Sequence, residues 1–303
     1  MKELPIIKNR LAYFVFSGAL TVAAMYMIAV YGFKLGIDFE GGTSWQIQFS
    51  QSGVSVDEVV DFFKEQGRAE VAVVPEPTTQ SLQVRLDAIS AQEKDALHGA
   101  LKGKFGEFTD LRFDSIGPAI GSELKHKAIW ATIMVLIGIS FFVAYAFRSV
   151  SYPVSSWQYG AVTLVTLFHD VIIVVGLLAF LGKFFDVDVD SNSVVAVLVV
   201  LGFSVHDTIV VFDRIRENIR TAGSKIVFEP VVNKSVNETL ARSINTSLTL
   251  VLVLIAMMLF GPISLRYFLV VLTVGVIFGT YSSIFIASPL LVSWHSWSKK
   301  KGK

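Results

Sequence analysis

SVVAVLVVLGFSVHDTIVVF, residues 193–212, is a run of twenty residues whose only ionisable side chains are His206 and Asp207. About 20 mostly apolar residues as a helix span the hydrocarbon core of a bilayer. An Asp at the centre of such a helix costs about 2.5–3.5 kcal/mol, while each Val, Leu or Ile returns about 0.3–0.6 kcal/mol. The segment therefore inserts with Asp207 inside it. Working outward, five further windows have the same character, near 11–33, 127–147, 157–182, 243–263 and 267–293, with the quoted run inside a sixth at 191–213. The whole chain follows suit: of 303 residues, 53% are hydrophobic and only 17% charged, with a mean hydropathy of +0.60. Soluble domains carry about 25% charged residues, so a soluble enzyme, a fibre and a disordered chain are excluded. A net charge of +1 gives no electrostatic footprint for nucleic acid, and the absence of cysteine removes disulfides, thiolate metal sites and a cysteine nucleophile.

The first window follows a basic stretch containing Lys2, Lys8 and Arg10, but its apolar run exceeds the about 7–15 residues of a cleavable signal, so it reads as a retained anchor. Positive residues near span ends stay on the cytoplasmic side. Arg148, then Arg214, Arg216, Arg220, Lys225 and Lys234, and finally Lys299, Lys300, Lys301 and Lys303 fall with the N-terminus, whereas the short opposite loops hold only Lys183 and Arg266. Both termini are expected in the cytoplasm. The organisation expected is an N-terminus and first span at 1–33, an outside domain at 34–126, a five-helix bundle at 127–294 with a cytoplasmic loop at 214–242, and a basic tail at 295–303.

In the outside domain the periodicity changes. Residues 43–49 alternate like a strand, and 55–66 place Val56, Val59, Val60 and Phe63 at helical spacing behind a Ser55–Glu58 capping box. Strands are expected at 70–74 and 82–86 around a turn at 75–81. A helix at 90–105 opens with a second capping box, Ser90–Glu93, and a strand at 111–116 closes the domain. The order β-α-β-β-α-β is the ferredoxin-like, split βαβ arrangement. The fold class expected is an α-helical membrane protein with six transmembrane helices and this one periplasmic domain between the first two. From 34 to 126 there are nine basic and fifteen acidic side chains, a net of −6. His98 reads as a solvated or packing residue, and the domain reads as a contact surface with no catalytic constellation.

Ionisable residues inside spans are functional hypotheses by default. On the fifth window Arg242, Asn245, Thr246 and Thr249 share one helical face. A guanidinium does not deprotonate, so beside Asp207 it would hold the carboxylate ionised until the two separate, linking proton binding to movement. The same spacing also fits a static pair that fixes packing, or an Arg242 at the interface. Thr163, Thr166 and Asp170 lie at i, i+3 and i+7 on the third window, with His169 adjacent; His169 and Asp170 either relay protons or satisfy each other, and lean to the structural role. Asp213 reads as an interfacial charge. Ser204, His206 and Asp207 have the residue types of a hydrolase triad but diverge on one helix. Gly275 and Gly279 form a small-xxx-small packing motif, and Gly117 and Gly121 read as serving the entry to the second span. No Walker motif occurs, so no nucleotide is implied.

Five motifs occur in order: LGIDFEGG (35–42), SIGP (115–118), FHDV (168–171), SVHDTIVVFDRIREN (204–218) and TLARSINTS (239–247). With six spans and one outside domain, the whole chain resembles the SecF subunits of the bacterial SecD-SecF protein-export complex, within the resistance-nodulation-division superfamily. The resemblance implies an inner-membrane partner of SecD that works beside the SecY-SecE-SecG channel and other accessory subunits, coupling proton flow to late preprotein export within the lipid bilayer. By matching position, Asp207 and Arg242 look like that family's proton-pathway Asp and Arg, with an Asp of SecD completing the path. His169, Asp170, His206, Asn245 and Thr246 are candidates to surround them. Gly36, Asp38, Phe39, Gly41 and Gly42 make up the motif at the outer end of the first span. The implied protein is not an enzyme in the sense of making or breaking covalent bonds, and no cofactor, metal or nucleic acid is implied. The rivals are a subunit of an RND-like small-molecule or lipid exporter and a passive translocase scaffold.

Overall fold

Each apolar window is helical in the computed structural model, which describes residues 3–51, 53–76, 79–148, 153–222 and 227–301. In chain order the elements are α1 Arg10–Tyr31, α2 Ile37–Glu40, β1 Gly42–Phe49, α3 Val56–Glu65, β2 Ala72–Glu76, β3 Ser81–Leu86, α4 Ala91–Phe105, β4 Phe108–Ile116, α5 Pro118–Ala146, α6 Ser156–Phe185, α7 Ser191–Ala222 and α8 Phe228–Phe260. A short 3₁₀ turn, Ile263–Leu265, precedes α9 Arg266–Ser282, a π-helical turn Ser283–Ala287 and α10 Ser288–Lys301. Among the described residues six helical stretches are long and apolar enough to cross a membrane: α1, α5, α6, α7, α8 and the run from Arg266 to Lys300. The protein is a multi-pass membrane protein. Its described chain divides into two compact units, 1–34 with 131–303, and 35–130.

In the first unit the buried interior belongs to α6, α7 and α9, while α1, α5 and α8 bury much less of their apolar surface. Close approach is set by small residues. A Cβ placed on Gly275 of α9 would lie 2.1 Å from Val200 Cγ2 of α7, and one on Gly279 would lie 3.3 Å from the Cα of Ser204. Gly275 and Gly279 thus seat α9 directly against α7, the packing role their spacing implies. Likewise, a Cβ on Gly176 of α6 would lie 2.4 Å from Ala24 Cβ of α1. Asp190 starts α7 by accepting from the Ser193 amide at 2.8 Å and its hydroxyl at 2.7 Å, while Lys34 pairs with Asp186 and lies 3.5 Å from Asp188.

The segment 214–242, expected as a connecting loop, is instead largely helical among the described residues: α7 runs on to Ala222 and α8 begins at Phe228. Phe212, Ile215 and Ile219 bury one face of the α7 extension, and Phe228, Val232 and Val236 bury one face of the α8 extension. Polar groups on these extensions satisfy one another: Arg214 donates to Glu238 at 2.7 Å and to Glu217 at 2.6 Å, and Asn218 donates to Ser235 at 2.9 Å. Asp213 lies 3.9 Å from Arg216. The N-terminal segment straps onto the same stretch of α8. Asn237 accepts from the Leu4 amide at 2.8 Å and donates to its carbonyl at 3.0 Å, Asn233 accepts from the Ile7 amide at 3.2 Å, and Arg10 pairs with Glu229 at 3.1 Å.

The second unit has the expected β-α-β-β-α-β order, with a wholly antiparallel sheet in the order β2-β3-β1-β4. Both capping boxes form, at Ser55–Glu58 and Ser90–Glu93. Trp45, Ile47, Val84 and Leu86 from the sheet meet Val59, Phe62, Phe63, Leu97 and Leu101 from α3 and α4. β2 sits two residues later than expected and includes Pro75; the ring is tolerated because β2 is an edge strand. Of the turn expected at 75–81, residues 77 and 78 lie outside the described residues. β4 begins at Phe108, with one extra residue, Leu111, where the β1 pairing shifts between Gln46 and Ile47. His98 packs against Trp45 and Phe108 and lies 3.8 Å from Asp110, which also accepts from the Trp45 indole at 2.9 Å.

The stretch 35–42 folds as the single turn α2 followed by Gly41 and Gly42 at φ +82 and +122, angles that disfavour any side chain. A Cβ on Gly41 would lie 2.9 Å from Pro118 Cα, and one on Gly121 would lie 2.8 Å from the Gly41 nitrogen. The double glycine and Gly121 therefore serve one close backbone approach, between the turn after α2 and the first turn of α5. Phe39 is buried beside it.

Candidate functional site

Among the described residues two carboxylates are buried within the spans, Asp170 on α6 and Asp207 on α7, at 0% and 7% exposure. Burying a carboxylate is costly unless its lone pairs are met, and here serine hydroxyls meet them. Asp170 Oδ2 accepts from Ser204 of α7 at 2.5 Å and from Ser282, the last residue of α9, at 2.6 Å. Its Oδ1 lies 2.8 Å from His169 Nδ1. An ionised carboxylate only accepts, so in that state Nδ1 carries the ring proton. Asp207 Oδ1 accepts from Ser243 of α8 at 2.7 Å, and its Oδ2 accepts from Ser283, the first residue of the π turn. Asp207 makes no ion pair among the described residues. Ser204, Ser243, Ser282 and Ser283 are each at most 2% exposed. The network ties α6, α7, α8 and the junction of α9 with the π turn.

This geometry changes the expected constellation. Arg242 does not stand beside Asp207: its neighbour Ser243 does, and successive residues of an α-helix point about 100° apart. Ser235, Thr239, Ser243 and Ser247 recur every fourth residue on the buried face of α8, whereas Arg242, Asn245, Thr246 and Thr249 occupy an exposed face of the unit. Arg242 forms no ion pair among the described residues, and Thr246 turns back to donate to its carbonyl at 2.9 Å. Asn245 and Thr246 do not surround Asp207. His206 is exposed, and Ser204 points to Asp170 and not to His206, so no triad forms. His169 and Asp170 are hydrogen-bonded to each other, and Asp170 takes its serine partners from α7, the helix that carries Asp207, and from Ser282, next in the chain to the Ser283 that meets Asp207. Sequence reasoning passed over Ser243, Ser282 and Ser283, although the four-residue recurrence on α8 and the YSSIF stretch at 281–285 were visible.

The sequence matches the family described as "Protein export membrane protein SecD/SecF, C-terminal" over residues 97–297, and the "SecD/SecF GG Motif" over residues 26–52. The latter range contains Gly41 and Gly42. The protein translocase subunit SecF of Thermobaculum terrenum is 41% identical, across 97% of this chain and 94% of that protein. The SecF of Anaerolinea thermophila is 37% identical, across 99% and 98%. The crystal structure of SecDF from Thermus thermophilus, described as a translocon-associated membrane protein, superposes with a TM-score of 0.83 at 30% identity, across 97% of this chain and 39% of that one. The chain thus spans about two fifths of the SecDF protein whose structure it matches. With a family match that runs from α4 to α10 and SecF subunits that align nearly end to end, the chain belongs to the SecD/SecF family of protein-export membrane proteins.

Proposed function

We propose that this protein is a non-enzymatic accessory subunit of the Sec translocase of the inner membrane, which pairs with SecD and uses the proton-motive force to promote the late stage of preprotein export. The observation that carries the reading is Asp207: a carboxylate deep in an apolar helix, held by hydroxyls from two other elements and paired with no Lys or Arg among the described residues. Such a group is neutralised either by a proton or by a cation brought to it, and switching between the two is the elementary step of a proton-driven cycle. Arg242 supports the second arm. It lies on the exposed polar face of α8 with Asn245, Thr246 and Thr249, a face unsuited to lipid and suited to a second membrane chain. Proton release from Asp207 and engagement of Arg242 with a partner's carboxylate then favour different helix arrangements, which move the outside domain against an emerging polypeptide. The Lys and Arg distribution supports an orientation with both termini in the cytoplasm and residues 34–126 in the periplasm. SecD, the SecY-SecE-SecG channel and the preprotein are the partners of this reading.

The test is proton-gradient-dependent completion of preprotein export in vesicles carrying Asp207→Asn or Arg242→Ala. Both variants are expected to lose the gradient-dependent component; wild-type rates from both would sink the proposal. Co-purification with translocase subunits separates it from an RND-like exporter, and the Asp207 variant separates a motor from a scaffold.

A further inference from the structure

Ser282 and Ser283 are consecutive, yet their hydroxyls reach different carboxylates on different helices, Asp170 on α6 and Asp207 on α7. A single helix addresses both because side chains one residue apart diverge by about 100°, and α9 is seated against α7 by Gly275 and Gly279. The regular α-helix ends at this pair. The π turn starts at Ser283, whose carbonyl accepts from the Ser288 hydroxyl, five residues on, at 3.2 Å. π turns inside helices recur at functional positions.

Each hydroxyl has a second acceptor in its own helix. Ser282 Oγ lies 3.1 Å from the Gly279 carbonyl and Ser283 Oγ lies 2.9 Å from the Thr280 carbonyl. A serine has one proton to give and lone pairs that accept. Facing an ionised Asp207, Ser283 donates to the carboxylate. Once Asp207 is protonated, its O–H must itself find an acceptor; the Ser283 oxygen takes that bond, and the serine proton turns to the Thr280 carbonyl. Ser282 has the same two states between Asp170 and the Gly279 carbonyl. No covalent bond is made or broken apart from the carboxyl O–H. Beside the two carboxylates the ionisable groups are His169, bonded to Asp170, and exposed His206, next to Asp207; Arg242 of α8 is on that helix's exposed face, away from Asp207. On α9 itself Tyr281, next in the chain, is 3.5 Å from the Tyr13 carbonyl.

We infer that Ser282 and Ser283 are positioning residues that couple the protonation of Asp207 to that of Asp170 and to the geometry of the π turn, making the junction of α9 with that turn the element that responds to the proton. This rests on the proton-coupling reading above. It adds Asp170 as a second responding carboxyl and names the two consecutive serines, linked through one backbone, whose hydroxyls meet the two carboxylates.

The experiment is infrared difference spectroscopy on acidification of the full chain with its translocase partner in lipid vesicles, Asp170→Asn identifying the Asp170 carboxyl band. Asp207→Asn is then introduced into the wild type, into Ser282→Ala with Ser283→Ala, and into Ser282→Thr with Ser283→Thr. The Asp170 band is expected to shift on Asp207→Asn in the wild type and the threonine pair but not in the alanine pair. Gradient-dependent export should fall about tenfold in the alanine pair and return in the threonine pair. An equal band shift in all three backgrounds, or none in any, overturns the proposal. If the alanine pair does not assemble, Ser282→Cys with Ser283→Cys fills nearly the same volume with a weak donor and is read by the same outcomes. The band coupling is measured without export, so failure of the coupling is distinguished from failure of the reading, which Asp207→Asn export rates alone decide.

Discussion

Ser243 donates to Asp207 Oδ1 at 2.7 Å, whereas Arg242, one residue earlier on α8, is exposed. The two neighbours should therefore separate in experiment. Ser243→Ala leaves a buried carboxylate oxygen short of a donor, a loss of about 1–3 kcal/mol. Arg242→Ala removes an exposed side chain with no ion pair among the described residues and should stay within about 0.5 kcal/mol. Thermal unfolding of the isolated chain reads the difference. Under the proposed function both variants lose gradient-dependent export, Ser243→Ala with a lowered melting temperature and Arg242→Ala without one. A stable Ser243→Ala chain would remove the hydroxyl from the support of Asp207.

Helix approach at two glycines can be graded by what each Cβ would meet. At Gly275 the obstacles are both γ carbons of Val200, at 2.1 and 2.8 Å, with the Cβ at 3.0 Å. At Gly176 they are Ala24 Cβ at 2.4 Å and, behind it, the backbone Cα at 2.7 Å. Alanine at either position should cost about 1–3 kcal/mol through overpacking. Val200→Ala clears the side-chain obstacle and should restore most of the stability lost in Gly275→Ala. Ala24→Gly leaves the main-chain contact and should restore less in Gly176→Ala. Equal rescue in the two double variants, measured by thermal unfolding, would contradict this account of how closely α1 and α6 approach.

The membrane spans were legible because charge is scarce in them, and the second unit because its alternating strands and two capping boxes mark the element ends. What escaped was rotation. A one-residue step on α8 turns the side chain about 100°, and linear sequence, which fits Arg242 either beside Asp207 or at the interface, does not say which face meets α7. The segment 214–242 was missed for a related reason. Arg214, Glu217 and Glu238 give it the polarity of a loop, while the helical signal lies in Phe212, Ile215, Ile219 and then Phe228, Val232 and Val236, spaced three or four apart on the opposite face. The π turn has no composition signature, since YSSIF also fits an ordinary helix.

Acid should loosen the start of α4. The Ser90 amide donates to Glu93 Oε2 at 2.8 Å, and Arg68 and the Ser90 hydroxyl add bonds at 2.6 and 2.9 Å. Together they hold the Glu93 carboxyl at about 2, below its ordinary 4.5. A depressed carboxyl stabilises the fold fully above its unfolded value and loses that contribution as pH falls through the folded one. Amide-exchange protection in the first turn of α4 should thus decline between 4.5 and about 2. Glu93→Gln should show lower protection at neutral pH and little further change across that window. A variant that keeps the wild-type acid profile would place the sensitivity elsewhere.

Gly41 and Gly67 share a φ of +82 but differ in what a Cβ would meet. A Cβ on Gly67, just past the end of α3, meets nothing within 4 Å, so Gly67→Ala carries strain alone, about 1–2 kcal/mol. At Gly41, where ψ is 173, the Cβ would also press on the backbone of Pro118, at 2.9 Å from Cα and 3.0 Å from N. Main chain cannot rotate aside as a side chain does, so Gly41→Ala should cost clearly more than Gly67→Ala in amide-exchange protection of β1 and β4. Gly121→Ala intrudes on the same contact from the other side, 2.8 Å from the Gly41 nitrogen. Displacing that contact once removes the reason for the second penalty, so the Gly41→Ala, Gly121→Ala double variant should lose less than the two single losses combined, whereas Gly67→Ala should add independently to either. Strict additivity of Gly41→Ala with Gly121→Ala would mean that the double glycine is required for its dihedral angles alone.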